Sequence, residues 1–189
     1  MIVKDKLIFR LYDLYDLVFL QLLRKTVLAF RGSKVCFSTR IPKLTINWPH
    51  QLKIGSNCTL EDNLIFKYDS VWAKGPNIVI RDNVFIGNNT EFNISKKITI
   101  GDESLIASNC RFIDHDHGFI DLTTPIRLQE STESSIVIEG NVWIGTNCTI
   151  LKGVSIGKGA IIGAGSVLNR SVPKNEVWAG IPAKFIKKR

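Results

Sequence analysis

Ile138, Ile144, Ile150, Ile156, Ile162 and Leu168 stand six residues apart, and four residues after each comes a second, mostly small side chain: Val142, Cys148, Val154, Ala160, Ser166 and Val172. An α-helix repeats its apolar positions at three- and four-residue intervals and an ordinary strand at every second residue, so neither matches this period. A hexad belongs to a parallel β-helix, whose chain winds around a prism and sends one aliphatic side chain inward from each short face. Three hexads close one turn. The winding therefore predicts that Ile138 stacks on Ile156, Ile144 on Ile162 and Ile150 on Leu168.

The rhythm continues upstream with interruptions. Ile54-Gly55-Ser56-Asn57-Cys58-Thr59-Leu60 nearly copies Ile144-Gly145-Thr146-Asn147-Cys148-Thr149-Ile150, and Leu60 leads to Phe66. Ile80, Ile86 and Phe92 form a further in-phase triplet, followed after a slip at Lys96-Lys97 by Ile100, Ile106 and Phe112. Glycine follows the aliphatic at positions such as Gly55, Gly87 and Gly145, where a corner asks for positive φ or close backbone approach. One solenoid is expected from about residue 44 to 172. The Asn-x-Thr/Ser triplets are products of this repeat and carry no weight as glycan sites.

Lys6 to Phe30 has another character, a helix rich in Leu, Phe and Tyr that Gly32 stops. Asp5, Asp13 and Asp16 and the lack of a small-residue cleavage site argue against a secretory signal. The apolar run Leu17 to Leu20 is far below the roughly 20 residues of a membrane span. Such a helix caps the solenoid, packs on a sister subunit, or rests on a membrane surface with help from Arg24, Lys25, Arg31 and Lys34. The chain accordingly divides into a helical segment over 1–34, a β-helix over 35–175 and a tail over 176–189.

Composition changes the picture little. With 44% hydrophobic residues in 189, one sizeable core is affordable, and no interdomain linker is visible. The net charge of +8 favours anionic partners, yet no basic-aromatic repeat or nucleic-acid module accompanies it, so no nucleic acid is expected. Cys58, Cys110 and Cys148 fall in the small inward column, and with Cys36 they show no metal-type spacing; they read as packing residues of a reducing compartment.

The hexads, the His-containing excursion after Phe112, the Asn141-Val142-Trp143-Ile144-Gly145 return, the Gly163-Ala164-Gly165-Ser166-Val167 coil and the closing Trp178-Ala179-Gly180-Ile181-Pro182-Ala183-Lys184 together resemble the hexapeptide-repeat acyltransferases. Within them the likeness is to the branch that O-acetylates sugars and bacterial surface polysaccharides, similar to maltose and galactoside O-acetyltransferases. The resemblance implies a left-handed β-helix, an exception to the usual right-handed crossover. It also implies a homotrimer with sites between subunits, acetyl-CoA as acyl donor and a sugar or glycan acceptor. The reduced cysteines and the lack of a secretory signal point to a cytoplasmic protein, held at the inner face of the membrane if the helix docks there.

Chemistry centres on Asp114-His115-Asp116-His117-Gly118, where the hexad breaks and must leave the prism as a loop. A sugar hydroxyl needs a base to remove its proton as it attacks a thioester, and a neutral imidazole suits that task. Asp114 or Asp116 is suited to fix the histidine tautomer. In the similar sugar acetyltransferases the catalytic histidine follows the last inward aliphatic by five residues, which lands on His117, with His115 second. The chain departs from the His-Pro-x-Asp form of the maltose type, which puts the acceptor in question. The resemblance further implies acetyl-CoA contacts at Gly145, Ala164, Ala179 and Lys184. Trp143 reads either as intersubunit packing or as a wall of the acetyl or acceptor pocket beside the base, and His50 as structural.

Rival classes are N-acetylation of an amino-sugar nucleotide, a zinc hydratase like the γ-class carbonic anhydrases, and a non-catalytic binding solenoid. The zinc reading needs three imidazoles on successive coils, and His50, His115 and His117 lack that spacing, so no metal is expected. A binding solenoid has no need of the His loop.

Overall fold

The stacked pairs expected from the period are the pairs observed: Ile138 with Ile156, Ile144 with Ile162 and Ile150 with Leu168. The structure, a computed structural model, describes residues 15–189, with side-chain surroundings from Val18 onward. It is a left-handed parallel β-helix with sheets of six, seven and six strands. The first face holds Lys34–Val35, Leu52–Ile54, Ile78–Ile80, Ile98–Ile100, Ile136–Ile138 and Ser155–Ile156. The second holds Thr59–Leu60, Phe85–Ile86, Leu105–Ile106, Trp143–Ile144 and Ile161–Ile162, and ends in the antiparallel hairpin Glu176–Gly180 and Ala183–Lys188. The third holds Thr45–Ile46, Ile65–Tyr68, Glu91–Ile94, Arg111–Ile113, Thr149–Leu151 and Val167–Leu168.

Because every coil repeats the same register, like side chains stack in columns. Phe66, Phe92 and Phe112 show this on the third face, with ring centroids 4.8 and 4.9 Å apart and planes within 4° of parallel. All three are fully buried. Cys58, Cys110 and Cys148 are buried in the small column, as the hexads indicated, and Cys36 is partly exposed.

The corners divide their labour differently from the sequence expectation, which gave glycine both the tight approach and the positive φ. A Cβ added at Gly145 would stand 2.6 Å from the backbone nitrogen of Ala164, so glycine serves the close approach of successive coils. The left-handed position comes two residues later and belongs mostly to asparagine, as at Asn57 (φ 54°), Asn89 (φ 55°) and Asn147 (φ 58°). Asparagine tolerates that region better than most side chains. The recurrent Asn-x-Thr triplets follow from this geometry.

At the amino-terminal end a π-helical turn, Tyr15–Leu20, runs into the α-helix Gln21–Phe30; residues 6–14 of the expected helix lie outside the described residues. The helix stops at Gly32, at φ 91°, where the Gly32 N–H donates to the Ala29 carbonyl at 2.9 Å and the Ser33 N–H to that of Leu28 at 2.9 Å. Leu28 is buried, and the Gln21 amide joins Ile41 by two hydrogen bonds, 2.8 and 2.9 Å, so the helix closes the first coil. Lys34–Val35 already pairs with Lys53 and Ile54, about ten residues before the expected start of the solenoid at 44. Among the described residues no helix is long and apolar enough to cross a membrane.

Candidate active site

Interruptions of the hexad gather at one corner of the prism, between the third and first faces. There the chain makes the segment 47–51, the loop 69–77, the turn 95–97 and the excursion 114–135 on successive coils. Asp114 pins this corner. It directly follows the strand Arg111–Ile113, is fully buried, and accepts the backbone N–H groups of Ser95 at 2.7 Å and of Lys96 and Lys97 at 2.8 Å each. The slip at Lys96-Lys97 thus has a physical basis: the N–H groups that leave the ladder there find a carboxylate.

His115 and Asp116 begin a short antiparallel pairing with Thr132 and Glu133, which carries the excursion out of the prism. His115 is mostly buried, its Nδ1 3.2 Å from Asp114 Oδ1 and its Nε2 4.0 Å from Asp69 Oδ2. Asp116 faces the other way, 2.8 Å from Lys152 Nζ. His117 is exposed and lines an open cleft of about 420 Å³ with His115, Asp116, Asn93, Ile113, Phe119 and Ile126. The carboxylates expected to orient the histidines are therefore split, Asp114 to His115 and Asp116 to Lys152, and His117 stays open to the cleft. The outer loop is itself held, since Gln129 Nε2 donates to the carbonyls of Asp121 at 2.7 Å and Thr124 at 2.8 Å.

Sequence reasoning missed Asp69 and Asn93. Asp69 is held below the usual carboxylate range, chiefly by its hydrogen bond from Lys67 Nζ at 2.9 Å and with help from the fields of His115 and His117, against a smaller opposing effect of burial. Its only signal was the break in the hexads after Tyr68, at the corner the His loop shares. Asn93 sits beside Ile113 in the third sheet, and its buried Oδ1 has no hydrogen-bond partner among the described residues.

The residues expected to meet the acyl donor follow a different corner, between the second and third faces. Gly145 is buried against Ala164 on the next coil, a Cβ added at Gly163 would meet the Ala179 methyl at 2.8 Å, and Ala179 pairs with Lys184 in the terminal hairpin. Ala164 and Lys184 are exposed. These four residues form one line across successive coils, a strip of small side chains ending in a cation. Trp143 lies on the second face between Leu105 and Ile161, with half its surface exposed. That face is opposite the histidine corner, so within one chain Trp143 and the donor strip stand apart from His117. A roomier hollow of about 500 Å³ under the helix brings Arg24 and Arg40 to Glu61 and Asp62, with no histidine near it.

Comparison with known proteins agrees with this architecture. Residues 135–170 match the family described as bacterial transferase hexapeptide (six repeats), and residues 77–111 match the hexapeptide repeat of succinyl-transferase. The chain is similar to the putative lipopolysaccharide biosynthesis O-acetyl transferase WbbJ of Escherichia coli K12, 33% identical over 59% of this chain and 60% of that protein. It is likewise similar to the galactoside O-acetyltransferase of the same organism, 33% identical over 71% of this chain and 62% of that one. It spans less than two thirds of either relative's length. Among solved structures it resembles a hexapeptide-repeat-containing acetyltransferase of Vibrio cholerae O1 biovar eltor complexed with acetyl coenzyme A, at 32% identity and a TM-score of 0.53, covering 65% of this chain and 69% of that one.

Proposed function

This chain belongs to the hexapeptide-repeat transferase family, and on that premise we propose that it is an acetyl-CoA-dependent O-acetyltransferase for a hydroxyl of a sugar in a bacterial surface polysaccharide or its precursor. The observation that carries the reading is His117, an imidazole open to a cleft on a hairpin whose root Asp114 anchors. His117 removes the proton of the acceptor hydroxyl as its oxygen attacks the thioester carbonyl. His115, tied to Asp114, fixes the hairpin, and the Asp69 carboxylate stabilises the imidazolium that forms. Asn93 and the backbone of the cleft supply polar groups toward the acceptor.

The acyl donor is bound along the strip of Ala164, Ala179 and Lys184; small side chains admit the pantetheine to backbone groups, Lys184 meets a phosphate, and Gly145 lets the coils close beneath. Supporting this, a histidine and a donor strip on different corners of one prism come together only when a second chain lends its corner. We read the active unit as a trimer in which Trp143 of one copy walls the acceptor pocket of the next. The helix supports a peripheral membrane contact at the inner face, since Leu22, Leu23, Val27 and Phe30 are exposed beside Arg31 and Lys34.

The test is release of thiol from acetyl-CoA in the presence of a panel of free sugars, galactosides, sugar nucleotides and lipid-linked glycans, with mass spectrometry of the product. An acetyl group that mild alkali removes is an ester and supports the reading. An alkali-stable amide on an amino-sugar nucleotide would favour N-acetylation, and no transfer to any acceptor would overturn the proposal.

A further inference from the structure

Three aromatic rings cluster on the corner that carries the histidines. Trp48 meets His50 edge-on at 5.7 Å and 85°, and His50 stacks on Trp72 at 5.9 Å and 24°. The cluster is fastened from beneath: His50 Nε2 lies 3.0 Å from the Ala73 carbonyl, Gln51 Nε2 donates to the same oxygen at 2.6 Å, and Asn77 Nδ2 donates to Gln51 Oε1 at 3.0 Å. Trp72 nevertheless keeps 68% of its surface exposed, so one indole face is backed by His50 and the other is open. A large ring backed by a fastened imidazole and open to solvent is a platform.

The platform lies on the same corner of the prism as the cleft. Asp69, three residues before Trp72, opens the loop and reaches within 4.0 Å of His115 Nε2. Two coil steps separate the Trp72 corner from the His115 corner, which at ordinary interstrand spacing is about 10 Å. Resting on the O-acetyltransferase reading, we propose that the Trp72 face is a subsite for a second sugar ring, so that the acceptor is an oligomeric glycan and not a single sugar. The C–H face of a pyranose suits an open indole, and its rim of hydroxyls suits the charged neighbours Lys67, Asp69 and Lys74. Interface cores between subunits are depleted in such charges, which favours a sugar over a second protein chain.

The proposal is tested by tryptophan-fluorescence titration of the full-length protein with fragments of one to five sugars cut from a de-O-acetylated surface polysaccharide. An aromatic contact of ordinary strength predicts that the longer fragments bind roughly tenfold tighter than the single sugar. Trp72→Ala should erase that gain, Trp72→Phe should keep most of it, and neither should alter acetyl-CoA binding. Equal affinity at every length, or failure of every fragment to bind, overturns the proposal. So does a Trp72→Ala variant that disperses the assembly in sedimentation, which makes the ring a subunit contact, or Trp72-dependent quenching by dTDP, which makes it a nucleobase site. Binding is read without turnover, so a failed subsite is distinguishable from a failed O-acetyltransferase assignment.

Discussion

Replacing Asp114 by Asn removes a charge while keeping the shape of the group on which the corner depends. Oδ2 accepts the N–H groups of both Lys96 and Lys97, and Oδ1 accepts that of Ser95 and faces His115 Nδ1. An amide has one acceptor oxygen. If it serves Lys96 and Lys97, its NH₂ points at the Ser95 N–H, and two donors confront each other in a fully buried place. Losing one charge-assisted hydrogen bond costs about 1.5–3 kcal/mol, and stranding a buried donor adds about 1–3 kcal/mol. The expected loss is thus roughly 3–5 kcal/mol, summing those two contributions with allowance for partial relaxation. Urea denaturation of the purified variant measures it, and hydrogen exchange should show the Ser95, Lys96 and Lys97 amides losing protection ahead of the second face. A destabilisation under about 1 kcal/mol, or amides that exchange no faster than in the parent, would refute the role given to Asp114.

Other outcomes follow from the same geometry. His117→Ala should lower kcat by roughly a hundredfold or more with little change in acetyl-CoA affinity, measured by steady-state kinetics, whereas full rate in His117→Ala with silence in a folded His115→Ala would reverse their roles. Cys36, whose thiol is brought down to about 7 mainly by the Ser56 hydroxyl donating to Sγ at 3.2 Å, should alkylate with iodoacetamide at a rate that rises as pH climbs through that value and the thiolate forms. Cys58, Cys110 and Cys148 should stay protected until the protein unfolds, as peptide mapping would reveal. Gly87→Ala, which sets a methyl 2.5 Å from the Ser108 backbone nitrogen, should cost about 1–3 kcal/mol, against roughly 1 kcal/mol for Gly165→Ala, where the space is open and only φ +70° resists; a larger loss at Gly165 than at Gly87 in thermal unfolding would contradict this account of the corners.

The coils were legible in the sequence because their period is imposed by geometry: each face admits one inward side chain, and Ile, Leu and Phe recur where it falls. Counting faces forward from Ile138 was enough to pair it with Ile156. The corners were less legible, since close approach and positive φ are separate demands met by Gly145 and Asn147 two residues apart. The site was half readable. The run Asp114 to His117 announced itself by breaking the hexad, but the partners of its carboxylates did not. Asp114 looks local to both histidines, yet its main contacts are backbone groups 17 to 19 residues earlier that leave no trace in side-chain identity. Asp69 escaped notice for the same reason, being joined to His115 only by the stacking of coils. Counting faces puts Trp143 on the side of the prism opposite its own chain's histidines, so a place for it beside a base requires a second copy.

Central to this account is a site assembled from the histidine corner of one chain and the small-residue strip of another. Subunit mixing measures that most directly: His117→Ala lacks the base, Ala164→Trp blocks the strip, and each is expected to be inactive alone. Co-refolded in equal amounts, the two should regain a substantial fraction of the parent's acetyl transfer, because mixed assemblies contain interfaces where an intact histidine meets an intact strip. Mixed assemblies that form but stay as inactive as their parents, or a parent that sediments as a fully active monomer, would contradict it.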